Sequence, residues 1–571
     1  MTHAEQQNEH LAPPMSLSRR TVVGTGAAAA IAGAVAGPLA GPAPARSHGS
    51  GRPSTDGRDL VLKNGRIHTT NGRHDIVRVL AIRDGRVVYA GDTLSAALRA
   101  VPDRTRVLDL RGRTAIPGII DNHNHLVLMG NRPGRHTPLE NAYSVADVQR
   151  TYRARARGVP SGEFITTIGG FHFNQFTEVR LPTLAELDAA VPDHPAYISV
   201  GFSGPSVTNS RGRAFFETAA QPVAVGADGS IAGGQETGRA TLALRRTLTF
   251  EQRRRGALDA MAYALGLGVT THLDQGAFQA TGTPSDGAAH EDNYTMHLPF
   301  LSLYAQGKAT VRLRINFLHM DTDPALPTLT DRLNNQFPFF GDDMVRTGGI
   351  GEFVAAGIGA TWLEAAKKVA RAGWRAEVHS LSQTDFRTEI EGFEAVDAET
   401  PITGLRWVVA HVPFITRDYV DRLKALGGGL SLTGWRYLTG TATAAGPPFR
   451  MIVDSGIPAG MSSDGMQIAP MNPFIHAYYA TTGRNALGAV INDGQQISRR
   501  ELLDLYTRDN AWFLGGPDDD QLGTLEVGRL GDVAVLDRDY FTVPDDQLRQ
   551  VSSVLTVVGG AIAHSTGRVD L

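Results

Sequence analysis

Two histidines separated by one residue, His123 and His125, close the apolar run Ile116-Pro117-Gly118-Ile119-Ile120-Asp121-Asn122. Side chains alternate faces along an extended strand, so both imidazoles point the same way. Neutral imidazole is the commonest metal ligand. Two such nitrogens at the end of a buried strand can hold a first-row divalent ion if further ligands arrive from elsewhere. Taken alone, the pair also fits a turn with two polar residues, the lesser of the two readings, and the rest of the chain has to decide.

Further candidates occupy corresponding places. His379 closes Arg375-Ala376-Glu377-Val378-His379, and His411 closes Val408-Val409-Ala410-His411. Asp464 follows Met461-Ser462-Ser463, and Glu352 lies within Gly348-Gly349-Ile350-Gly351-Glu352-Phe353. In a parallel barrel every strand opens its C-terminal end on one face, where catalytic groups gather. Four histidines and two carboxylates would then share one pocket. His272 and Asp274, in Thr271-His272-Leu273-Asp274-Gln275, end another strand and are pocket candidates; Asp274 is a fallback bridging ligand and reads as readily as a helix cap. His172, between Phe171 and Phe173, is a candidate for the substrate pocket.

Such positions need strands that alternate with helices, and from Arg245 onward the chain has that rhythm. Thr249 with Gln252, and Ser498 with Glu501, have the spacing of capping boxes; the first opens a helix to Leu265 and the second one to about Phe513. Gly266 and Gly268 precede the strand Val269-Thr270-Thr271-His272. Val311 to Leu318, Gly348 to Val354, Trp374 to His379, Trp407 to His411, Leu430 to Thr433 and Ile457 to Ser462 follow as strands, with helices over Trp362 to Ala372 and Arg417 to Leu426. That alternation predicts parallel βα units closing into an α/β barrel. Before it, Leu126 to Ala240 shows no clean alternation and reads as an inserted, loop-dominated subdomain, at about 130 to 245, with a capped helix after Thr183 and Glu186. Leu60 to Asp92 carries hairpin signals at Asn64-Gly65, Asn71-Gly72 and Asp84-Gly85. The strands Asp532 to Leu536 and Val554 to Val558 are expected to join that sheet, so both chain ends build one small β-sandwich, 60–115 with 521–571, around a barrel at 116–520.

At 571 residues the chain exceeds what one core usually supports, and 42% hydrophobic with 20% charged residues is an ordinary globular balance. A formal net charge of -3 without a basic stripe argues against nucleic acid as a partner. The absence of cysteine excludes disulfides, thiolate ligands and a cysteine nucleophile, so any metal must be held by histidine and carboxylate. Residues 1 to about 45 read as a targeting segment: Ser18-Arg19-Arg20-Thr21-Val22-Val23 precedes an Ala/Gly-rich run that Pro38 breaks, and Ala43-Pro44-Ala45 offers a cleavage site. It looks like a twin-arginine export signal rather than a stable membrane anchor, and 46–59 reads as a linker.

As a set, Pro117-Gly118-Ile119-Ile120-Asp121-Asn122-His123-Asn124-His125, Val378-His379, Ala410-His411, Ser463-Asp464 and the closing stretch Gly523 to Leu536 resemble the amidohydrolase superfamily, in its branch similar to YtcJ-type proteins and N-substituted formamide deformylases. The resemblance implies a distorted (β/α)8 TIM-like barrel with a β-sandwich. It also implies one or two divalent ions, zinc foremost, and hydrolysis of carbon-nitrogen bonds in small-molecule amides, formamides or cyclic imides. Carried over by residue, His123 and His125 would bind one ion, His379 and His411 a second, and Asp464 would touch metal and serve as general base to a metal-activated water. Two departures stand out. Glu352 sits where many relatives have a carboxylated lysine; it could bridge two ions or leave a single-metal site. Ser203-Gly204-Pro205 stands where the branch often has Asp-Gly-His. A non-catalytic ligand-binding barrel and a metal-dependent isomerase or lyase are the competing readings, and a homodimer stays open.

Overall fold

The structure is a computed structural model that describes residues 58–201, 203–276, 296–466 and 468–569. The expected signal, and the linker up to residue 57, lie outside the described residues.

Eight parallel strands surround the site: β1 (Ile119–Asn124), β2 (Val269–Asp274), β3 (Arg312–Phe317), β4 (Val345–Ile350), β5 (Glu377–Ser380), β6 (Val408–His411), β7 (Gly429–Thr433) and β8 (Ala459–Ser462). They form two four-stranded parallel sheets, β1 to β4 and β5 to β8, each in sequence order. Backbone bonds join the sheets at both edges: Ile350 pairs in parallel with Ala376, and Asp464 N donates to His123 O at 2.9 Å. With helices between successive strands this is a TIM-barrel-like α/β fold. The strands are buried on both faces, which is why they read as near-continuous apolar runs rather than alternating ones.

The helices follow from the sequence in the same direct way. The helix Phe250–Gly266 buries Ala257, Ala260, Met261, Ala264 and Leu265, the stripe of a 3.6-residue period, and its Thr249/Gln252 capping box is formed. Gly268 then turns the chain into β2 at φ +81; a Cβ there would sit 2.8 Å from Ala534. The expected Ser498/Glu501 box is also present, but that helix covers only Arg499–Tyr506 and does not reach Phe513. Thr507 leaves helical geometry (φ -128, ψ -92). The break brings Asn510 under the barrel, where its amide donates to Ile120 O at 2.5 Å and Met461 O at 2.8 Å and accepts from Asn122 at 2.7 Å. A tertiary contact has overridden local helix propensity.

The floor of the barrel holds two buried ion pairs, Arg312 with Asp532 (2.8 Å) and Arg314 with Asp518 (2.5 Å). Around them lie the sheets built by the two chain ends. A six-stranded sheet places Ala561–Ser565, Ser553–Val558, Val533–Leu536, Thr114–Pro117, Arg66–His68 and Ile76–Val77 side by side, and a four-stranded sheet holds Leu60–Lys63 between Val79–Arg83 and Arg106–Asp109, with Arg86–Gly91 beyond. Leu60, Leu62, Leu80 and Ile82 share a core with Val533, Val535, Leu555 and Val557.

The stretch Leu126 to Ala240 holds more regular structure than its loop-rich sequence announces. It contains a five-stranded sheet (Arg135–His136, Ile165–Ile168, Ala196–Ser199, Ser206–Thr208, Ser230–Ile231) and the helices Val145–Ala156, Leu184–Ala190, Ser210–Glu217 and Gln235–Arg245. Its strands run two to four residues, too short for a period to show, and the central ones are buried on both faces, so no alternation marks them.

Candidate metal centre

The six groups expected at strand ends come together at the C-terminal end of the barrel. His123 and His125 leave β1; Glu352 follows β4; His379 lies in β5, His411 ends β6, and Asp464 follows β8. Among the described residues, two sets could each share one ion: His123, Glu352 and His411, and His123, His125 and Asp464. Glu352 lies between them. Its Oε1 is 3.4 Å from His125 Nε2, and its Oε2 is 3.5 Å from His123 Nε2, 3.3 Å from His411 Nε2 and 2.7 Å from His379 Nδ1. Asp464 Oδ1 stands 3.2 Å from His125 Nε2 and 3.9 Å from His123 Nε2. His379 is the outermost, at 22% side-chain exposure, and its ring stacks on Phe353.

The backbone holds these groups at a local cost. His411 (φ 70), Val412 (φ 43) and Asp464 (φ 54) occupy the left-handed region, which costs a non-glycine residue on the order of 1–2 kcal/mol. Neighbouring polar bonds hold that geometry in place. Ser463 N donates to Asp121 Oδ1 at 2.9 Å, and His125 N donates to Gly465 O at 2.7 Å. Burial pushes the Asp121 carboxyl up to about 6, against the bonds it receives from Ser463.

Electrostatics describe the charge balance of the cluster. Burial pushes the His123 imidazole down, but Glu352 and Glu377 outweigh it and hold it up at about 10. Burial likewise opposes ionisation of Glu352, yet the surrounding histidines hold its carboxyl well below the usual range. The buried carboxylates of Glu352 and Asp464 thus face imidazole nitrogens, and His123 Nε2 has no hydrogen-bond partner of good geometry. Imidazole nitrogens and carboxylate oxygens, with no thiolate in the chain, suit zinc and other first-row divalent ions. The residues fit such an ion.

Among the described residues, the remaining candidates are outside these two sets. Asp274 receives Val127 N at 2.9 Å and Gly276 N at 3.0 Å, so it caps the helix Leu126–Gly130. His272 is fully buried and burial pushes it down to about 3. His172 caps its own turn, accepting from Asn174 N at 3.1 Å, and burial pushes it down to about 4. That turn does reach the barrel, since Asn174 Nδ2 donates to Leu438 O at 3.2 Å beyond β7. Ser203-Gly204-Pro205 forms a turn of the insertion, with Gly204 against Thr237. Sequence reasoning missed Glu377, whose Oε1 is 2.7 Å from His123 Nδ1. The signal was available: Arg375, Glu377 and His379 alternate onto one face of a strand, and acids inside apolar strands need a partner.

Residues 106–564 match the amidohydrolase family, and the chain belongs to it. Among curated relatives, it is 31% identical over 148 residues to the N-substituted formamide deformylase of Arthrobacter pascens, covering 25% of this chain and 26% of that one. It is 31% identical over 121 residues to the imidazolonepropionase of Mesorhizobium japonicum, 21% of this chain and 27% of the relative. The chain therefore aligns with only about a quarter of the length of these relatives. Among solved structures, an uncharacterized metal-dependent hydrolase from Pyrococcus horikoshii superposes with a TM-score of 0.57 at 18% identity, over 86% of this chain and 99% of its own. The atrazine chlorohydrolase of Arthrobacter aurescens, solved with zinc, gives 0.52 at 18% identity over 90% and 96%. These likenesses establish the shared fold.

Proposed function

We propose that this protein is a metal-dependent hydrolase of carbon-nitrogen bonds in a small-molecule amide, formamide or cyclic imide. The observation that carries the proposal is the meeting of His123, His125, His379, His411, Glu352 and Asp464 at the C-terminal end of eight parallel strands. In our reading the strands close into a distorted (β/α)8 barrel, the chain-end sheets form a β-sandwich, and 130–245 is an insertion. The twin-arginine pattern makes the protein an exported one.

His123, His125 and Asp464 would hold one ion, and His379 and His411 a second, with Glu352 between them. When bound, a divalent ion supplies a Lewis acid for the carbonyl and lowers the pKa of water from about 15.7 towards about 7. Asp464 accepts the proton as water oxygen bonds to the carbonyl carbon, then delivers it to the leaving nitrogen as the carbon-nitrogen bond breaks. Its Oδ1 is placed for this by the backbone bond from Asp464 N to His123 O. The insertion turn Phe173–Gln175, bonded to Leu438 O, would wall one side of the substrate space.

The test is a screen of zinc-loaded protein against formamides, amides, cyclic imides, carbamates and esters, with released amine and acid quantified. Amine release that disappears on chelation is the expected result. Turnover that survives complete metal removal, or isomerised products without hydrolysis, would refute the proposal.

A further inference from the structure

We propose that Glu377, backed by Arg375, is the positioning residue that fixes the imidazole of His123 and thereby sets the affinity of the centre for a divalent ion. The inference rests on the metal reading above and concerns two residues that reading does not use.

His123 is the one histidine common to both sets that could share an ion. Its Nδ1 lies 2.7 Å from Glu377 Oε1, and a carboxylate oxygen can only accept there, so Nδ1 carries the hydrogen and Nε2 is the atom left to serve an ion. The other oxygen of Glu377 accepts from Arg375 Nη2 at 2.9 Å and Asn316 Nδ2 at 3.2 Å. Asn316 is itself held, accepting from Gly349 N at 2.6 Å. All four side chains are buried.

Arg375 separates this arrangement from ordinary packing of the barrel floor. Arg312 and Arg314 are each bidentate on an aspartate and donate further to backbone carbonyls. Arg375 gives one nitrogen to Glu377 and leaves Nε and Nη1 buried with no hydrogen-bond partner. A guanidinium held so incompletely is a poor structural strut, since unpaired buried donors cost stability. Its use is the positive charge it sets against Glu377. The supports of the neighbouring ligands are neutral: His125 Nδ1 meets Gly276 O at 2.8 Å, and His411 Nδ1 meets Thr433 Oγ1 at 3.2 Å. The charged support is reserved for the shared ligand. A carboxylate behind a ligating imidazole raises its basicity, and removing such a partner costs about 10–100-fold in metal affinity.

The experiment compares full-length wild type, Glu377→Gln, Arg375→Met and Thr433→Val. Zinc dissociation constants come from competition with a chromophoric chelator, and thermal unfolding is followed on the metal-stripped proteins. Glu377→Gln should weaken zinc binding about 10–100-fold and Arg375→Met should shift it in the same direction, whereas Thr433→Val changes it less than either. If Glu377→Gln fails to unfold cooperatively, the double variant Glu377→Gln/Arg375→Met, which removes both charges, takes its place with the same expected loss. Wild-type affinity in whichever of these variants folds overturns the proposal while leaving the metal reading intact; a wild type that binds no zinc overturns both.

Discussion

Glu352 reaches both halves of the histidine cluster: its Oε2 is 2.7 Å from His379 Nδ1, and its Oε1 is 3.4 Å from His125 Nε2. A carboxylate so placed touches ligand atoms of both sets that could share an ion. Glu352→Ala is therefore expected to lower bound zinc by about one equivalent per chain by elemental analysis, since each structural position needs its full ligand count. Unchanged stoichiometry would show that Glu352 bridges nothing.

Asp464 is the acid assigned to proton transfer, and its side chain also faces His125 and His123. Asp464→Asn keeps an oxygen for the ion but no longer takes a proton. Turnover should fall by about 10²–10⁴-fold while metal content stays within experimental error of wild type. Wild-type turnover in that variant would remove Asp464 from the role.

Stability tests the fold independently of the chemistry. Arg314 and Asp518 are each 1% exposed and pair at 2.5 Å, joining β3 to the segment after the last barrel helix. Arg314→Met leaves Asp518 buried without its partner and should cost about 3–5 kcal/mol in denaturant unfolding. Replacing both, as Arg314→Met/Asp518→Leu, should recover most of that loss, because the unpaired charge is what costs. A double variant no better than the single one would contradict the account.

Glu140 supplies a pH prediction away from the metal centre. Its carboxylate ties the segment after β1 to later parts of the barrel, accepting from Met471 N, from Asn472 N at 3.0 Å and from the Tyr263 hydroxyl at 2.7 Å. Burial nonetheless pushes it up from 4.5 to about 7. The native state then binds the proton more tightly than the unfolded chain. Its contribution is fully present below pH 4.5 and is lost as pH rises through about 7. Over that window the loss amounts to about 3 kcal/mol. Unfolding free energies at pH 5 and 7.5 should show a shallower pH dependence in Glu140→Gln than in wild type; identical slopes would exclude the assignment.

Much of the site was legible before any coordinates because strand ends concentrate chemistry. The pattern of an apolar run terminated by histidine or acid recurs at His123, His379, His411 and Asp464, and each of them lies at the barrel's C-terminal end. Capping boxes were equally readable, since Thr183, Thr249 and Ser498 each bond within three residues of themselves. Local hydrogen bonds leave local signatures.

What the chain by itself determined is the strand and helix rhythm of the barrel, its capping boxes and the candidate metal-type ligands, because period and capping depend on neighbours in sequence. The tertiary structure alone decided which buried polar groups meet. Glu377 finds His123 across 254 positions, Asn510 finds Asn122 across 388, and Asp274 is drawn to Val127 N across 147 as a helix cap. Such pairings satisfy desolvated atoms in three dimensions, and nothing in the linear spacing of their residues records the distance at which they will close.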